Sequence, residues 1–525
     1  MAWLIPRVAL FTVLLLATGC ASPGADLAPA DAPRAVAPSD CFALVGGLDL
    51  QTATIQELQL ALEAGRVTSV ELVDAYAARI AAFDSGGPKV NSVQGIDPTA
   101  RAAAAQLDAE RAAGHVRGSL HGIPILLKDN VGTSTMPTTA GSIALAQNVP
   151  ADDATLTARL RESGAIVLGK TKLSEFANWV SLSMPNGYSS LGGQVVNAYT
   201  GGDPSGSSSG SGVAGSMAFA AATIGTETSG SILGPSDANS LVGVKPTVGL
   251  VSRAGVIPLA ASFDTPGPMG RSVADVAAIL SVIAGPDEAD AATAPSGAAL
   301  PPGGDYTAAL STDALQGARV GYDPQYDGEL FQAALADIEA QGATLVPIDT
   351  SQLETVGIVE LGLIPNEFKS GLNEYLATQA GPDVVVKDLT EIILYNQQHP
   401  DKVKYGQDLL LASDASPGVG LLMAPAALPV IRANAALADR SFAQNSLDVL
   451  VGPSLAYVSI GAAAGYPTVI VPAGYRDVDP QGISFFGPAW SEARLLGYAY
   501  AYEQASHRRL PPTSVNPSLL DGVCI

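Results

Sequence analysis

The sequence predicts an α/β fold, in which short apolar strands alternate with amphipathic helices. Two capping boxes, at residues 54–57 and 68–71, each open a segment with apolar residues at helical spacing. The apolar segment 122–127 has the length and composition of a buried strand. With 55 Gly and 37 Pro in 525 residues, the chain has more turns than a helical bundle tolerates. These observations predict the class but not the order of the strands.

Further elements follow the first two helices in chain order. Helices are predicted at 98–113, 154–163, 330–340, 359–377 and 491–504, and strands at 165–169, 449–451, 468–471 and 482–486. The segment 285–445 has the least distinct pattern. We interpret it as a variable elaboration that covers the site and shapes its specificity.

The N-terminal residues are typical of an exported protein. Arg7 precedes a short apolar run and small residues, which predicts a signal peptide over residues 1–19. Cys20 stands where a bacterial lipobox has its lipidated cysteine, so a cell-envelope lipoprotein is expected, with plain secretion as the alternative. The Ala/Pro-rich residues 20–47 are then a tether, and the globular domain covers 48–525. The membrane would be contacted only through the N-terminal lipid.

Two further cysteines, Cys41 and Cys524, lie near the two ends of the mature chain. In an oxidising compartment such a pair can form a disulfide. The alternative is two unpaired thiols near the chain ends, and the sequence leaves both possibilities open.

Composition excludes several kinds of partner. The chain has 27 Lys and Arg against 50 Asp and Glu, a net charge of -23, which repels nucleic-acid phosphates. None of the four His belongs to an HExxH or Cys/His cluster, so no metal site is expected. The phosphate-loop pattern GxxxxGK[ST] is absent, and no cofactor is expected. The sequence does not indicate an oligomeric state.

The Gly/Ser-rich centre of the chain, residues 201–234, has two interpretations. In isolation such composition is typical of a flexible linker. Here the apolar segment 213–224 interrupts it and would not remain solvated. We therefore predict an α/β unit with its Gly/Ser loops packed close to a site.

Five segments in order carry a family resemblance, and they lie at 122–130, 206–212, 225–232, 243–247 and 264–268. Together they resemble the amidase-signature family, from about Ala53 to His507. Within that family, segments 189–194, 225–228 and 482–491 are most similar to bacterial peptide amidases. The resemblance implies a single amidase-signature domain with a mixed central sheet covered by helices on both faces.

The resemblance also implies roles for individual residues. Ser231 matches the nucleophile, Ser207 the bridging serine whose preceding peptide bond is cis, and Lys128 the base. The matching oxyanion hole consists of the backbone N–H groups of Thr228, Ser229, Gly230 and Ser231. The chemistry is consistent, since a serine hydroxyl needs a base and burial favours a neutral lysine.

Other residues near these motifs have two possible roles. Tyr188, Gln194 and Asn197 are candidates for substrate binding on the acyl side, with a structural role as the alternative. Asp129 either pairs with a nearby donor or caps the next turn.

The expected function is hydrolysis of a carboxamide in a small-molecule or peptide amide, giving acid and ammonia through an acyl-enzyme on Ser231. One alternative is the glutaminase-type subunit of an amidotransferase, which the signal peptide and the net charge argue against. The other is a catalytically silent lipoprotein that binds a ligand, which the intact Lys128, Ser207 and Ser231 argue against.

Overall fold

In the described part of the chain, eleven strands form one central sheet, and two pairs of short strands form separate two-stranded sheets. The computed structural model describes residues 40–353, 358–418 and 424–524, without the side chains of 358–361 and 424–432. The strands are β1 Leu44–Val45, β2 Leu48–Asp49, β3 Val93–Ile96, β4 Pro124–Lys128, β5 Ile166–Thr171, β6 Tyr188–Ser189, β7 Gly193–Gln194, β8 Ala222–Glu227, β9 Val242–Lys245, β10 Thr265–Gly270, β11 Arg319–Tyr322, β12 Thr344–Pro347, β13 Val449–Pro453, β14 Thr468–Arg476 and β15 Asp479–Phe486.

The helices fall between these strands along most of the chain, as the alternation in the sequence predicts. They are α1 Ile55–Glu63, α2 Ser69–Arg79, α3 Ala100–Ala112, α4 Thr155–Glu162, α5 Glu175–Asn178, α6 Ser209–Ser216, α7 Leu233–Ala238, α8 Val273–Ile283, α9 Glu329–Ala340, α10 Ile358–Thr378, α11 Leu389–Gln397, α12 Asp408–Asp414, α13 Ala424–Asn445, α14 Val458–Ala464, α15 Glu492–Ser506 and α16 Pro512–Val515. Among the described residues, no helix is long and apolar enough to cross a bilayer.

The central sheet is mixed, with the order β12-β11-β13-β15-β14-β9-β10-β8-β4-β5-β3. Strand β4 runs parallel to both neighbours, β5 and β8, whereas β8 and β10 are antiparallel. Helices cover both faces. On β10, Gly267 faces Ile232, just before α7, and Gly270 faces Val276 of α8 on the other side, because successive strand residues alternate. The predicted single domain with a mixed, helix-covered sheet is confirmed.

Both predicted capping boxes are present. The Thr54 hydroxyl accepts from the Glu57 N–H at 3.2 Å, and the Glu57 carboxylate accepts from the Thr54 N–H at 2.8 Å. Thr68 and Glu71 repeat this arrangement at the start of α2. Each box satisfies backbone donors that a helix N-terminus otherwise leaves unpaired.

Residues 40–47, which the sequence analysis assigns to the tether, are attached to the domain by contacts of Asp40, Cys41 and Phe42. Asp40 forms an ion pair of 2.7 Å with Arg79, and both side chains are buried. Phe42 packs edge-on against Phe83, and Cys41 is bonded to Cys524 in a disulfide. A buried arginine requires a carboxylate partner, which holds residues 40–47 against the domain instead of leaving them in a tether. The signal peptide, Cys20 and the rest of the tether lie outside the described residues.

Candidate active site

Lys128 ends β4 and is fully buried. Its Nζ lies 2.9 Å from Ser207 Oγ, 2.9 Å from Thr226 Oγ1 and 3.1 Å from the Thr226 carbonyl oxygen. Thr226 belongs to β8, the parallel neighbour of β4, so the carboxyl ends of the two strands meet at one edge of the sheet. Three oxygen partners therefore orient the amine toward the Ser207 hydroxyl.

The surroundings of Lys128 favour its neutral form. Burial lowers the pKa of this lysine to about 7, while the charges of Asp264 and Glu227 oppose part of that shift. Among the ion pairs of the described residues, none includes Lys128. An amine that is partly deprotonated near neutral pH can accept a proton from a hydroxyl.

Ser207 lies in a loop just before α6, and the peptide bond between Gly206 and Ser207 is cis. The Ser207 carbonyl accepts from the Ser174 N–H at 3.1 Å. The next residue, Ser208, donates its N–H to the Ser231 carbonyl at 3.2 Å. The predicted α/β unit over 201–234 is therefore correct, since α6 and β8 are wholly buried and bring the two serine loops side by side.

The loop from Thr228 to Ser231 joins β8 to α7 in a tight turn. Gly230 has a φ of +82°, a left-handed conformation that glycine adopts without the clash of a Cβ. The Glu227 carboxylate spans the turn and accepts from the N–H groups of Ile232 at 2.7 Å and Leu233 at 2.9 Å. These two hydrogen bonds fix the start of α7 relative to the end of β8, and thereby fix both ends of the turn between them.

Ser231 is mostly buried, with 8% of its surface exposed. Its backbone contacts the Ser207 loop directly, whereas the hydrogen bonds of the described residues do not include one between the two hydroxyls. The side chains of Lys128 and Ser207 are thus hydrogen-bonded to each other. Ser231 is connected to the Ser207 loop by its backbone carbonyl, which accepts from Ser208.

Asp264 is a site residue to which the sequence assigned no role, although it stands in the fifth motif. Its carboxylate accepts from the Thr228 hydroxyl at 2.5 Å and from the N–H groups of Leu259 and Ala260 at 2.8 and 2.9 Å. Burial raises the pKa of Asp264 to about 6. This carboxylate connects the turn that carries Thr228 to the loop before β10.

Asp129 takes the pairing role, the first of its two predicted alternatives. It accepts from the Thr139 hydroxyl and lies 3.7 Å from Lys170 Nζ, with both charged groups buried. The side-chain N–H₂ of the neighbouring Asn130 donates to Thr226 Oγ1 at 2.9 Å, while its side-chain oxygen Oδ1 is buried and has no partner among the described residues.

A cavity of about 220 Å³ adjoins this cluster and is lined on the cluster side by Asn130, Thr226 and Thr228. Its lining also includes Tyr375 and Glu374 of α10, from the segment with the least distinct sequence pattern. The cavity is large enough for a small acyl group next to the turn that carries Ser231.

Tyr188, Gln194 and Asn197 do not line this cavity among its described residues. The Tyr188 hydroxyl donates to the Lys402 carbonyl at 2.6 Å, and Gln194 donates to the Asn186 carbonyl at 2.7 Å. Asn197 bonds to backbone groups on both sides, including the Ala238 carbonyl at 2.7 Å. All three side chains form hydrogen bonds that order loops, and a role of these residues in substrate binding stays a prediction.

The fold and this arrangement of loops define the class of the protein, a hydrolase of the amidase type with an α/β fold. Within that class the chain belongs to the amidase-signature family, because the family model Amidase matches residues 71–455. The resemblance seen in five sequence motifs is thereby confirmed.

Several known proteins are similar to the chain over most of its length. The solved peptide amidase of Stenotrophomonas maltophilia is 42% identical, with a TM-score of 0.83 over 88% of this chain and 98% of that one. A probable amidase of Arabidopsis thaliana is 37% identical over 88% of this chain and 92% of its own length. A glutamyl-tRNA(Gln) amidotransferase subunit of Synechococcus is 33% identical over 87% of this chain and 97% of its own length.

Proposed function

We propose that this chain hydrolyses the carboxamide of an amidated peptide or amino-acid amide to the free acid and ammonia. The observation that carries the proposal is the hydrogen bond of 2.9 Å between Nζ of buried Lys128 and Oγ of Ser207, beside the turn that bears Ser231. The similarity to a peptide amidase supports the choice of amide.

In the proposed mechanism Ser231 Oγ attacks the carbonyl carbon of the amide. Its proton passes to the Ser207 hydroxyl, which gives its own proton to neutral Lys128, since a hydroxyl both donates and accepts. The backbone N–H groups from Thr228 to Ser231 stabilise the negative charge on the carbonyl oxygen. The C–N bond breaks, the leaving nitrogen takes a proton and departs as ammonia, and water hydrolyses the ester on Ser231 to the acid.

Asn130 has a proposed role in positioning the substrate. Its side-chain oxygen Oδ1 is a buried acceptor without a partner among the described residues, and Asn130 lines the cavity together with Thr226. A buried acceptor left unpaired costs free energy, which a donor on the substrate would recover. The N–H₂ group of a carboxamide is such a donor.

The test is ammonia release from a panel of amidated dipeptides, free glutamine and asparagine, aliphatic amides and acyl anilides. We expect release from the amidated dipeptides and a loss of at least about 10³-fold in kcat for Ser231→Ala. A fluorophosphonate probe should label the wild type at Ser231. Labelling at another residue, or substantial activity in the variant, would remove Ser231 from the nucleophile role.

The glutaminase-type alternative predicts a preference for glutamine, whose free carboxylate requires a cationic partner. Arg253 lines the cavity, but its guanidinium already forms bonds of 2.5 and 2.8 Å with Asp290. This pairing favours an uncharged carboxamide terminus over glutamine. A kcat/KM for glutamine equal to that for an amidated dipeptide would support the alternative.

We also propose that the protein is exported and anchored by a lipid on Cys20. The support is the sequence before Cys20 and the disulfide between Cys41 and Cys524, which forms in oxidising compartments. Metabolic labelling with a fatty-acid analogue should mark the wild type but not Cys20→Ser. Unlabelled wild-type protein recovered free of membranes would leave secretion without an anchor.

A further inference from the structure

The cavity beside the site is acidic. Among the described residues, its charged lining consists of three carboxylates, Asp264, Asp290 and Glu374, and one guanidinium, Arg253. With all four ionised, one positive charge balances only one of the three negative charges. A concave surface of one sign concentrates ligands of the opposite sign.

Among the described lining residues, the single cation, Arg253, is already paired with Asp290. Arg253 binds Asp290 through two nitrogens and also donates its backbone N–H to the same carboxylate at 2.9 Å. Such a bidentate pair is among the stronger charged contacts in proteins. Among the described lining residues, it leaves Asp264 and Glu374 without an ion-pair partner.

The two remaining carboxylates differ in what they can do. Asp264 is held by the Thr228 hydroxyl and two backbone N–H groups, so its oxygens are already occupied. Glu374 is an exposed lining residue on α10, and among the described residues its carboxylate has no hydrogen bond or ion pair. Glu374 is therefore the lining group that is free to bind a charged ligand.

From this lining we infer that the cavity selects amides that carry a free ammonium group, with Glu374 as the residue that determines this specificity. The inference rests on the proposed function and specifies its substrate class as amino-acid and peptide amides with an unblocked α-amino group. Such an amide is a cation, because its carboxyl terminus is the uncharged carboxamide. Hydrolysis adds a carboxylate, which the acidic lining repels and so helps to release.

The experiment compares kcat/KM for a free dipeptide amide, leucyl-phenylalaninamide, with its N-acetylated form. We expect wild type to prefer the free ammonium by about 2- to 5-fold at pH 7, the size of a partly exposed charge pair. The preference should fall with added salt. It should also disappear as the pH rises through about 8, where α-amino groups lose their proton.

Glu374→Gln should lower the ratio toward one, because it slows the free amide more than the acetylated amide. Glu339→Gln is the matched control, because Glu339 is an exposed helical glutamate that does not line the cavity, and it should keep the wild-type ratio. Nα-acetyl-lysinamide carries a side-chain ammonium but no α-ammonium. We expect Glu374→Gln to lower kcat/KM less for this substrate than for the free dipeptide amide.

Two results would overturn the inference while the amide hydrolase assignment stays. One is equal or faster turnover of the acetylated dipeptide amide by wild type. The other is an unchanged ratio in Glu374→Gln. If no amide in the panel released ammonia, the proposed function would fail together with this inference, so the two failures are distinguishable.

Discussion

Lys128 is the residue whose environment most directly limits the proposed chemistry. It is buried among neutral oxygens, and this burial lowers its pKa to about 7. The acidic side chains Asp264 and Glu227 act in the opposite direction at longer range. As a result, a substantial fraction of Lys128 is neutral at physiological pH and can act as a base, whereas an exposed lysine stays charged up to about pH 10.

The first prediction concerns the pH dependence of the rate. Only neutral Lys128 accepts a proton, so kcat/KM on an N-acetylated peptide amide should rise through about pH 7 and reach a plateau above it. Lys128→Ala should lose about 10²- to 10⁴-fold in kcat. Initial rates from pH 5 to 9 measure both. A flat profile, or a near wild-type rate in the variant, would contradict the role of Lys128 as base.

A second variant checks the sign of the electrostatic contribution. Asp264 favours the charged form of Lys128, so Asp264→Asn should move the rise in kcat/KM to lower pH. Its amide can still accept from one of the backbone donors. A shift to higher pH in this variant would mean that another group controls the profile.

At this scale the sequence predicted Lys128, Ser207 and Ser231 because each stands in a compact motif. It did not predict the bonds of Lys128 with Thr226, since that contact depends on two strands separated by 98 residues becoming neighbours. The link between Thr228 and Asp264 was missed for the same reason. Motifs identify reactive groups, whereas partners across a sheet depend on strand order.

Among the elements, the turn between β8 and α7 determines the geometry of the proposed oxyanion site. Gly230 has a left-handed backbone, and a Cβ there would lie 3.3 Å from Val458 Cγ2. Glu227 fixes the start of α7 beyond it. A substitution at Gly230 should therefore displace the backbone N–H groups of the turn more than it disturbs the rest of the fold.

We predict that Gly230→Ala lowers kcat by about 10²- to 10³-fold, the loss seen when an oxyanion donor is displaced. Its unfolding free energy should fall by about 1–2 kcal/mol, the cost of a left-handed non-glycine residue. Chemical denaturation and steady-state rates measure the two effects. Gly114→Ala is the matched control, because Gly114 has a φ of +79° and open space around its Cα.

Gly114→Ala should share the loss of stability and keep the wild-type kcat. Equal kcat losses in the two variants would assign the effect of Gly230→Ala to general destabilisation. A fully active Gly230→Ala would remove the turn from the proposed oxyanion role.

The elements themselves were largely predictable. The strands around 166–171, 449–453 and 479–486 and the helices at both capping boxes lie where periodicity and caps predict them. The pattern could not indicate that α10 forms a wall of the cavity, since periodicity gives a helix its apolar face but not its neighbour. The family resemblance implied that the sheet is mixed, which alternation alone did not give, and neither predicted the order of its strands.

For the whole molecule, the disulfide between Cys41 and Cys524 joins segments 483 residues apart. The adjacent Asp40 is paired with Arg79, which also donates to the carbonyls of Met217 and Ala218. The arm before β1 is thereby attached to the centre of the domain and to its C-terminal end.

We predict that the double variant Cys41→Ser/Cys524→Ser loses about 2–5 kcal/mol of stability, because the unfolded chain regains the entropy that the bond removes. Its kcat should be unchanged at 25 °C, since neither cysteine lines the cavity. Thermal unfolding with and without a reductant measures the effect. The reduced wild type should match the variant, and identical unfolding temperatures in all samples would contradict the prediction.

The same bond makes the folded domain a covalent ring. A protease that cuts once inside the ring, for example at the exposed Leu182, opens the backbone but releases no fragment. Such a nicked molecule migrates as one species in a non-reducing gel and as two after reduction. In an environment rich in proteases, a single cut therefore leaves both halves of the sheet tethered to each other.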